Sequence, residues 1–206
     1  MTKARQSSST TYILRTPLPS APREVPTPLV FVSSSKWDPS SRRGMTAFAS
    51  LFAERGYTCL EVDLGPPGAT ADSQELMQSF ENELSSHIRL AAIPFAPVII
   101  ARSGSTLIAQ TYISSHPASG LLLISPPASN TDVPDSLLTS PLPEFNFEPK
   151  FPCAIMCTED EAKVLAKSHR LWHKPAVDKF VVRDTKAMDG QDGFNHIQNW
   201  LDDIGV

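Results

Sequence analysis

The stretch with the clearest chemical potential is Ala101-Arg102-Ser103-Gly104-Ser105, which follows the β-branched run Pro97-Val98-Ile99-Ile100 and precedes the helix-like Thr106-Leu107-Ile108-Ala109-Gln110. A serine between small residues, at the point where a strand gives way to a helix, is what an activated nucleophile needs. The turn holds the residue in a strained backbone conformation, and small neighbours let strand and helix approach. Ala101 and Ser105 stand where the pattern G-x-S-x-G has glycines. An ordinary βα turn rich in serine would read the same way locally, because serine is common at helix starts. Acyl transfer through Ser103 would need three further parts: a histidine to take its proton, an acid to orient that histidine, and two backbone N–H groups for the oxyanion.

The rest of the chain must supply and position those parts. With 206 residues it has room for one sizeable domain. Prolines number 19 and cluster at 17–28 and 126–152, so both segments read as loops. Residues 1–27 form a proline-rich lead-in, and 28–206 form a single domain with an excursion at about 128–150. Apolar runs of strand length occur at Leu29-Val30-Phe31-Val32, Thr58 to Leu64, Pro97 to Arg102, Gly120 to Ser125, Cys153 to Cys157 and Val177 to Asp184. Helical spacing lies between them. One helix spans Arg42 to Arg55 with Gly56 as its stop, and another starts at Asp72 and Glu75 in capping-box fashion. A third follows Ser103 and ends at His116-Pro117. A fourth runs through Val164, Leu165, Ser168, Leu171 and Trp172, and a last one carries Ile197, Trp200, Leu201 and Ile204. Strands alternating with helices in this way imply an α/β protein, a mainly parallel central sheet with helices on both faces in three layers. Ligands then bind at the carboxyl ends of the strands.

Composition excludes several classes. A net charge of −4 argues against a nucleic-acid surface. No apolar stretch is long enough to cross a bilayer. The exit Ser33-Ser34-Ser35-Lys36 lacks the glycines a nucleotide site requires. Cys59, Cys153 and Cys157 all sit in apolar runs, as buried free thiols of a reducing, intracellular compartment do. Cys153 and Cys157 would share a strand face roughly 13 Å apart, too far for a disulfide. No Cys/His spacing resembles a zinc site, and no cofactor is implied. Lys3, Arg5, Arg15 and Arg23 precede the first acid, Glu24. That composition fits a mitochondrial presequence, while Tyr12-Ile13-Leu14 reads equally as an edge strand of a cytoplasmic protein.

From about residue 28 onward, the order of these parts resembles the α/β-hydrolase superfamily in a small form with a short cap. The resemblance implies that Ser103 occupies the nucleophile position and that Gly104 supplies one oxyanion-hole amide. Ser34 or Ser35 would supply the other, where the family often has His-Gly. Cys157-Thr158-Glu159-Asp160 looks like the family's acid exit, with Asp160 as the acid; the same residue could instead cap the following helix, and Glu159 and Glu161 are its neighbours in reserve. His196, the one histidine beyond the last strand, would be the base or else a helix-surface side chain. His169 and His173, four apart, could pair on a metal or simply face solvent. The implied activity is hydrolysis of a small-molecule carboxylic ester or thioester through a Ser-His-Asp triad. The degenerate glycines and the displaced histidine support a second expectation: an inactive binding or assembly subunit of the same fold, with a protein partner.

Overall fold

The computed structural model describes residues 9–206. Among the described residues seven strands form one sheet: β1 (Thr11–Arg15), β2 (Val25–Ser33), β3 (Tyr57–Asp63), β4 (Val98–Arg102), β5 (Gly120–Ile124), β6 (Cys153–Thr158) and β7 (Val177–Val182). The helices are α1 (Met45–Glu54), α2 (Ser73–Leu90), α3 (Ser105–Ile113), α4 (Glu159–Ser168), α5 (Thr185–Asp189) and α6 (Gln191–Asp203). Strand order is β1-β3-β2-β4-β5-β6-β7. Only β1 is antiparallel; it pairs with β3, Ile13 opposite Glu61. The expected three-layer α/β architecture with a mainly parallel sheet is therefore the observed one.

The continuous apolar runs follow from burial of both sheet faces. In β4, Ile99 and Ala101 point into the layer shared with α2 and α3, and Val98 and Ile100 into the layer shared with α1 and α6. In β5, Leu121 and Leu123 join the first layer and Leu122 and Ile124 the second. Each such side chain contributes about 1.5–3 kcal/mol on burial. Cys153 and Cys157 share the first layer and Cys59 lies in the second. All three are free, and burial pushes their thiols up to about 12, which makes them poor nucleophiles.

The chain leaves β2 for β3 and then returns to the other side of β2 for β4. That reversal opens a crevice at the carboxyl ends of β2 and β4, where Val32 lies beside Ala101. The exits Ser33 to Lys36 and Arg102 to Ser105 thus become neighbours. The excursion between β5 and β6 covers this end of the sheet. Its one regular piece is a 3-10 turn at Asn130–Asp132, and the Trp37 indole N–H ties it down by donating to the Leu137 carbonyl at 3.0 Å.

Local departures from the sequence reading have identifiable causes. A boundary at residue 28 falls inside β2, which begins at Val25. Pro26 and Pro28 read as loop, yet the strand absorbs them through a register irregularity between Val25 and Leu29. The fourth helix stops at Ser168 rather than reaching Trp172, and Val164 faces solvent at 52% exposure. The Asp72 carboxylate caps α2 by accepting from the Glu75 N–H, as expected, but Glu75 itself reaches the Ala71 N–H. Gly56 does end α1. Its φ is +102°, and a Cβ there would fall 1.8 Å from the Arg23 carbonyl oxygen. The N-terminal segment behaves as an edge strand over Thr11–Arg15 and contributes Arg15 to an ion pair with Glu61. Lys3 and Arg5 lie outside the described residues.

Candidate active site

Ser103 sits at the turn from β4 to α3 with φ +52°. A non-glycine residue in this left-handed region costs on the order of 1–3 kcal/mol and persists where its surroundings over-determine it. Those surroundings are visible. The Ser103 N–H donates to the Ile124 carbonyl at 2.9 Å, and its own carbonyl accepts from the Thr106 N–H at 3.1 Å and hydroxyl at 2.6 Å. Ser105, at the second glycine position, is buried; its hydroxyl contacts the carbonyls of Val32 at 2.9 Å and Arg102 at 2.7 Å. A serine there adds a lock between β2 and β4 that glycine would lack. The strained turn is therefore held in place from both strands and the helix.

The Ser103 hydroxyl makes no hydrogen bond among the described residues. It borders a cavity of about 130 Å³, lined also by Gly104, Ser125, Pro127, Val133 and Leu137. Larger hollows of about 480 and 490 Å³ open elsewhere, beside Thr139 and beside Pro17.

The parts expected around Ser103 are not gathered there. The Gly104 N–H donates to Asp38 Oδ2 at 2.7 Å. Asp38 is 6% exposed, and its other oxygen accepts from the Ser40 N–H at 3.0 Å. The Ser34 N–H donates to the Ser41 hydroxyl at 2.9 Å, and the Ser35 N–H to Asp63 Oδ1 at 2.7 Å. All three expected oxyanion amides thus already have side-chain acceptors, and two of those acceptors are carboxylates.

His196 lies on α6, which begins five residues earlier at Gln191, so it stands in the second helical turn. Its ring stacks on Phe180 of β7 with centroids 5.4 Å apart, and its Nε2 faces Asp192 Oδ1 at 3.8 Å. It has no hydrogen bond to Ser103. The other four histidines have none either. His87 pairs with Glu83 at 3.3 Å, and His173 reaches the Ala166 carbonyl at 2.7 Å. His116 bonds within the α2–α3 surface, its Nε2 3.1 Å from the Ser85 hydroxyl. His169 follows the end of α4 and accepts from the Leu171 N–H at 3.3 Å. Burial, helped by Arg170, pushes His169 down to about 4, so it is neutral at pH 7. Because α4 ends before His169, the pair His169 and His173 does not share a helix face. No group of three metal-ligating side chains occurs among the described residues.

Asp160 points into solvent, with its side chain 92% exposed, and pairs with Lys163 Nζ at 2.7 Å. That hydrogen bond and charge hold its carboxyl below the usual value. Thr158, not Asp160, caps α4, and Glu161 completes a capping box. Glu161 is the acid that turns inward. It accepts from the Thr158 N–H at 2.8 Å and from the Ser125 hydroxyl at 3.1 Å. Ser125 is itself strained, with φ +45° at the end of β5.

After β7, the chain forms the five-residue α5 where the family's histidine was sought. Asp184 caps it through the Ala187 N–H at 2.8 Å, and Met188 is buried. Asp189 accepts from Arg102 Nη1 at 2.5 Å and Arg43 Nε at 2.7 Å. Arg102, the residue before Ser103, is thereby tied to the segment after the last strand. Only the acidity of Asp38 and Asp189 was readable beforehand; that they face Gly104 and Arg102 needed the fold.

No protein-family model matches the sequence, and no curated protein does. Solved structures do match in fold. A lidless α/β serine hydrolase from Xanthomonas campestris superposes with a TM-score of 0.68 at 12% identity, covering 94% of this chain and 88% of that one. A carboxylesterase of the thaumarchaeon Nitrososphaera gargenis gives 0.65 at 12% identity, covering 99% and 98%. An α/β hydrolase from a lagoon-sediment metagenome gives 0.64 at 14% identity, covering 98% and 99%. The chain has the α/β-hydrolase fold, and within it Ser103 stands at the turn from β4 to α3. Fold alone does not carry chemistry. Among the described residues no helix is long and apolar enough to cross a membrane.

Proposed function

We propose that this chain is a non-catalytic member of the α/β-hydrolase fold that works as a binding or assembly subunit. The observation that carries this is the Asp38 carboxylate on the Gly104 amide, 2.7 Å away. An oxyanion must take that amide, and a resident negative charge opposes it. Losing one oxyanion donor typically costs about 10²–10³ in rate, and losing a triad's base or nucleophile about 10⁶. The cavity beside Ser103 has proline, valine and leucine walls, with the hydroxyl-bearing residues Ser103 and Ser125 and the carboxylate of Asp132 also on its lining, which disfavours an anion. Those walls suit a small, uncharged, largely apolar group that accepts one or two hydrogen bonds.

A serine hydrolase acting on an ester or thioester is the second reading. It is favoured by the strained φ of +52° at Ser103 and its unengaged hydroxyl. That reading needs Asp38 to leave Gly104, and needs His196 and Asp160 to be brought to Ser103.

The kinetic test compares wild type with Ser103→Ala on p-nitrophenyl acetate. A binding subunit hydrolyses it at rates that differ by less than about twofold between the two proteins. A triad enzyme loses at least 100-fold on the substitution, and that result would overturn the proposal.

A further inference from the structure

A second serine, far from the elbow, has the partners that Ser103 lacks. Glu81 and Ser85 are four residues apart on α2, so they share a helix face one turn apart. His116 lies just past the end of α3 and meets both. The Ser85 hydroxyl is 3.1 Å from His116 Nε2, and His116 Nδ1 is 3.2 Å from Glu81 Oε1. Nδ1 also faces the Tyr112 carbonyl at 3.3 Å. Ser115 Oγ lies nearest to Nδ1, at 2.9 Å, and itself donates to Glu81, so three acceptors surround Nδ1 and favour the proton there. Nε2 is then left with its lone pair toward Ser85.

The arrangement is held from several sides. The Tyr112 ring stacks on the imidazole, 4.5 Å away and 7° from parallel. Glu81 is buried and accepts from Gln78 Nε2 at 2.7 Å and from the Ser115 hydroxyl. Ser85 and His116 are only half-buried, so a reagent from solvent can reach them. The site stands at the opposite end of α3 from Ser103, separated from it by the length of the nine-residue helix, roughly 14 Å at 1.5 Å per residue.

We propose that Ser85 is an activated nucleophile that accepts an acyl group from an activated ester or thioester, with His116 as its base and Glu81 positioning His116. In the step, Ser85 Oγ bonds to the acyl carbon while its proton passes to His116 Nε2. The tetrahedral adduct then expels the thiolate or phenolate, which takes the proton from Nε2. The product is an O-acyl serine and a free thiol or phenol. Ser85 lies mid-helix, where backbone amides are committed to helical bonds and none is available for an oxyanion. Acylation can still proceed because the thiolate or phenolate is a good leaving group, whereas hydrolysis must expel the far poorer serine alkoxide without an oxyanion donor. The acyl group is therefore held, which makes Ser85 a covalent acceptor site. This inference is independent of the reading of Ser103, because it concerns other residues on another part of the surface.

The adjacent Ser86 is a built-in control, since its hydroxyl donates to the Asn82 carbonyl at 2.9 Å and makes no hydrogen bond to a histidine among the described residues. Folded full-length chain is treated with p-nitrophenyl acetate, and the acetyl group is located by peptide fragmentation. Ser85 is expected to acetylate about 100-fold faster than Ser86, in line with general-base assistance. His116→Gln, checked for native circular dichroism, brings Ser85 down to the Ser86 rate. Glu81→Ala lowers it, and Glu81→Asp restores it. Ser86→Ala leaves the Ser85 rate unchanged and removes any ambiguity of site. A Ser85 to Ser86 ratio under tenfold, or a Ser85 rate untouched by His116→Gln in a folded protein, overturns the proposal.

Discussion

Arg102→Ala is expected to lower the free energy of unfolding by about 3 kcal/mol. Arg102 is 4% exposed at the end of β4, and its Nη1 donates to Asp189 at 2.5 Å and to the Arg43 carbonyl at 2.8 Å. Removing one partner of a buried pair costs about 3–5 kcal/mol, because the other group is left desolvated. Asp189 retains Arg43 Nε at 2.7 Å, which places the effect at the lower end. Urea denaturation at an unchanged m-value measures it. A loss under about 1 kcal/mol would show that the segment after β7 is not anchored through Arg102. The prediction bears on function because that segment is where a base for Ser103 would have to be. An ion pair stands there instead.

Asp38→Ala is expected to cost about 2–3 kcal/mol. The carboxylate accepts from Gly104 N–H at 2.7 Å and Ser40 N–H at 3.0 Å, and both bonds are charge-assisted and shielded from water. Asp38→Asn keeps the volume and one good acceptor, so its cost should be less than half as large. If the two variants are equally mild, the carboxylate is a loose surface group and the Gly104 amide is open to a substrate. Both substitutions leave esterase activity where it was, because neither supplies a base.

The sequence made the scaffold legible for a physical reason. Strands buried on both faces are apolar throughout, as in Leu121 to Ile124, and helices between them show a different period. The strand-to-helix turn at Ser103 was legible because β4 and α3 meet with Ala101 and Ser105 fully buried between them. Its surroundings were less so. Asp38 lies 66 residues from Gly104, and Asp189 lies 87 residues from Arg102. Such pairs are set by the order of strands in the sheet, which a linear pattern does not carry. Asp160 and Glu161 are adjacent acids, and only the capping box that Thr158 forms with Glu161 decides which one turns inward. The position of His196 is not legible because it depends on the short α5, after which α6 starts at Gln191 and carries the imidazole onto Phe180. The meeting of Ser85, His116 and Glu81 is not legible in the sequence, since it depends on how α2 and α3 pack.

Treatment of the folded chain with a fluorophosphonate, followed by mapping of the modified residue, tests the account of Ser103 most directly. The account predicts no adduct at Ser103, whatever happens at Ser85. A stoichiometric adduct on Ser103, absent from Ser103→Ala, would contradict it.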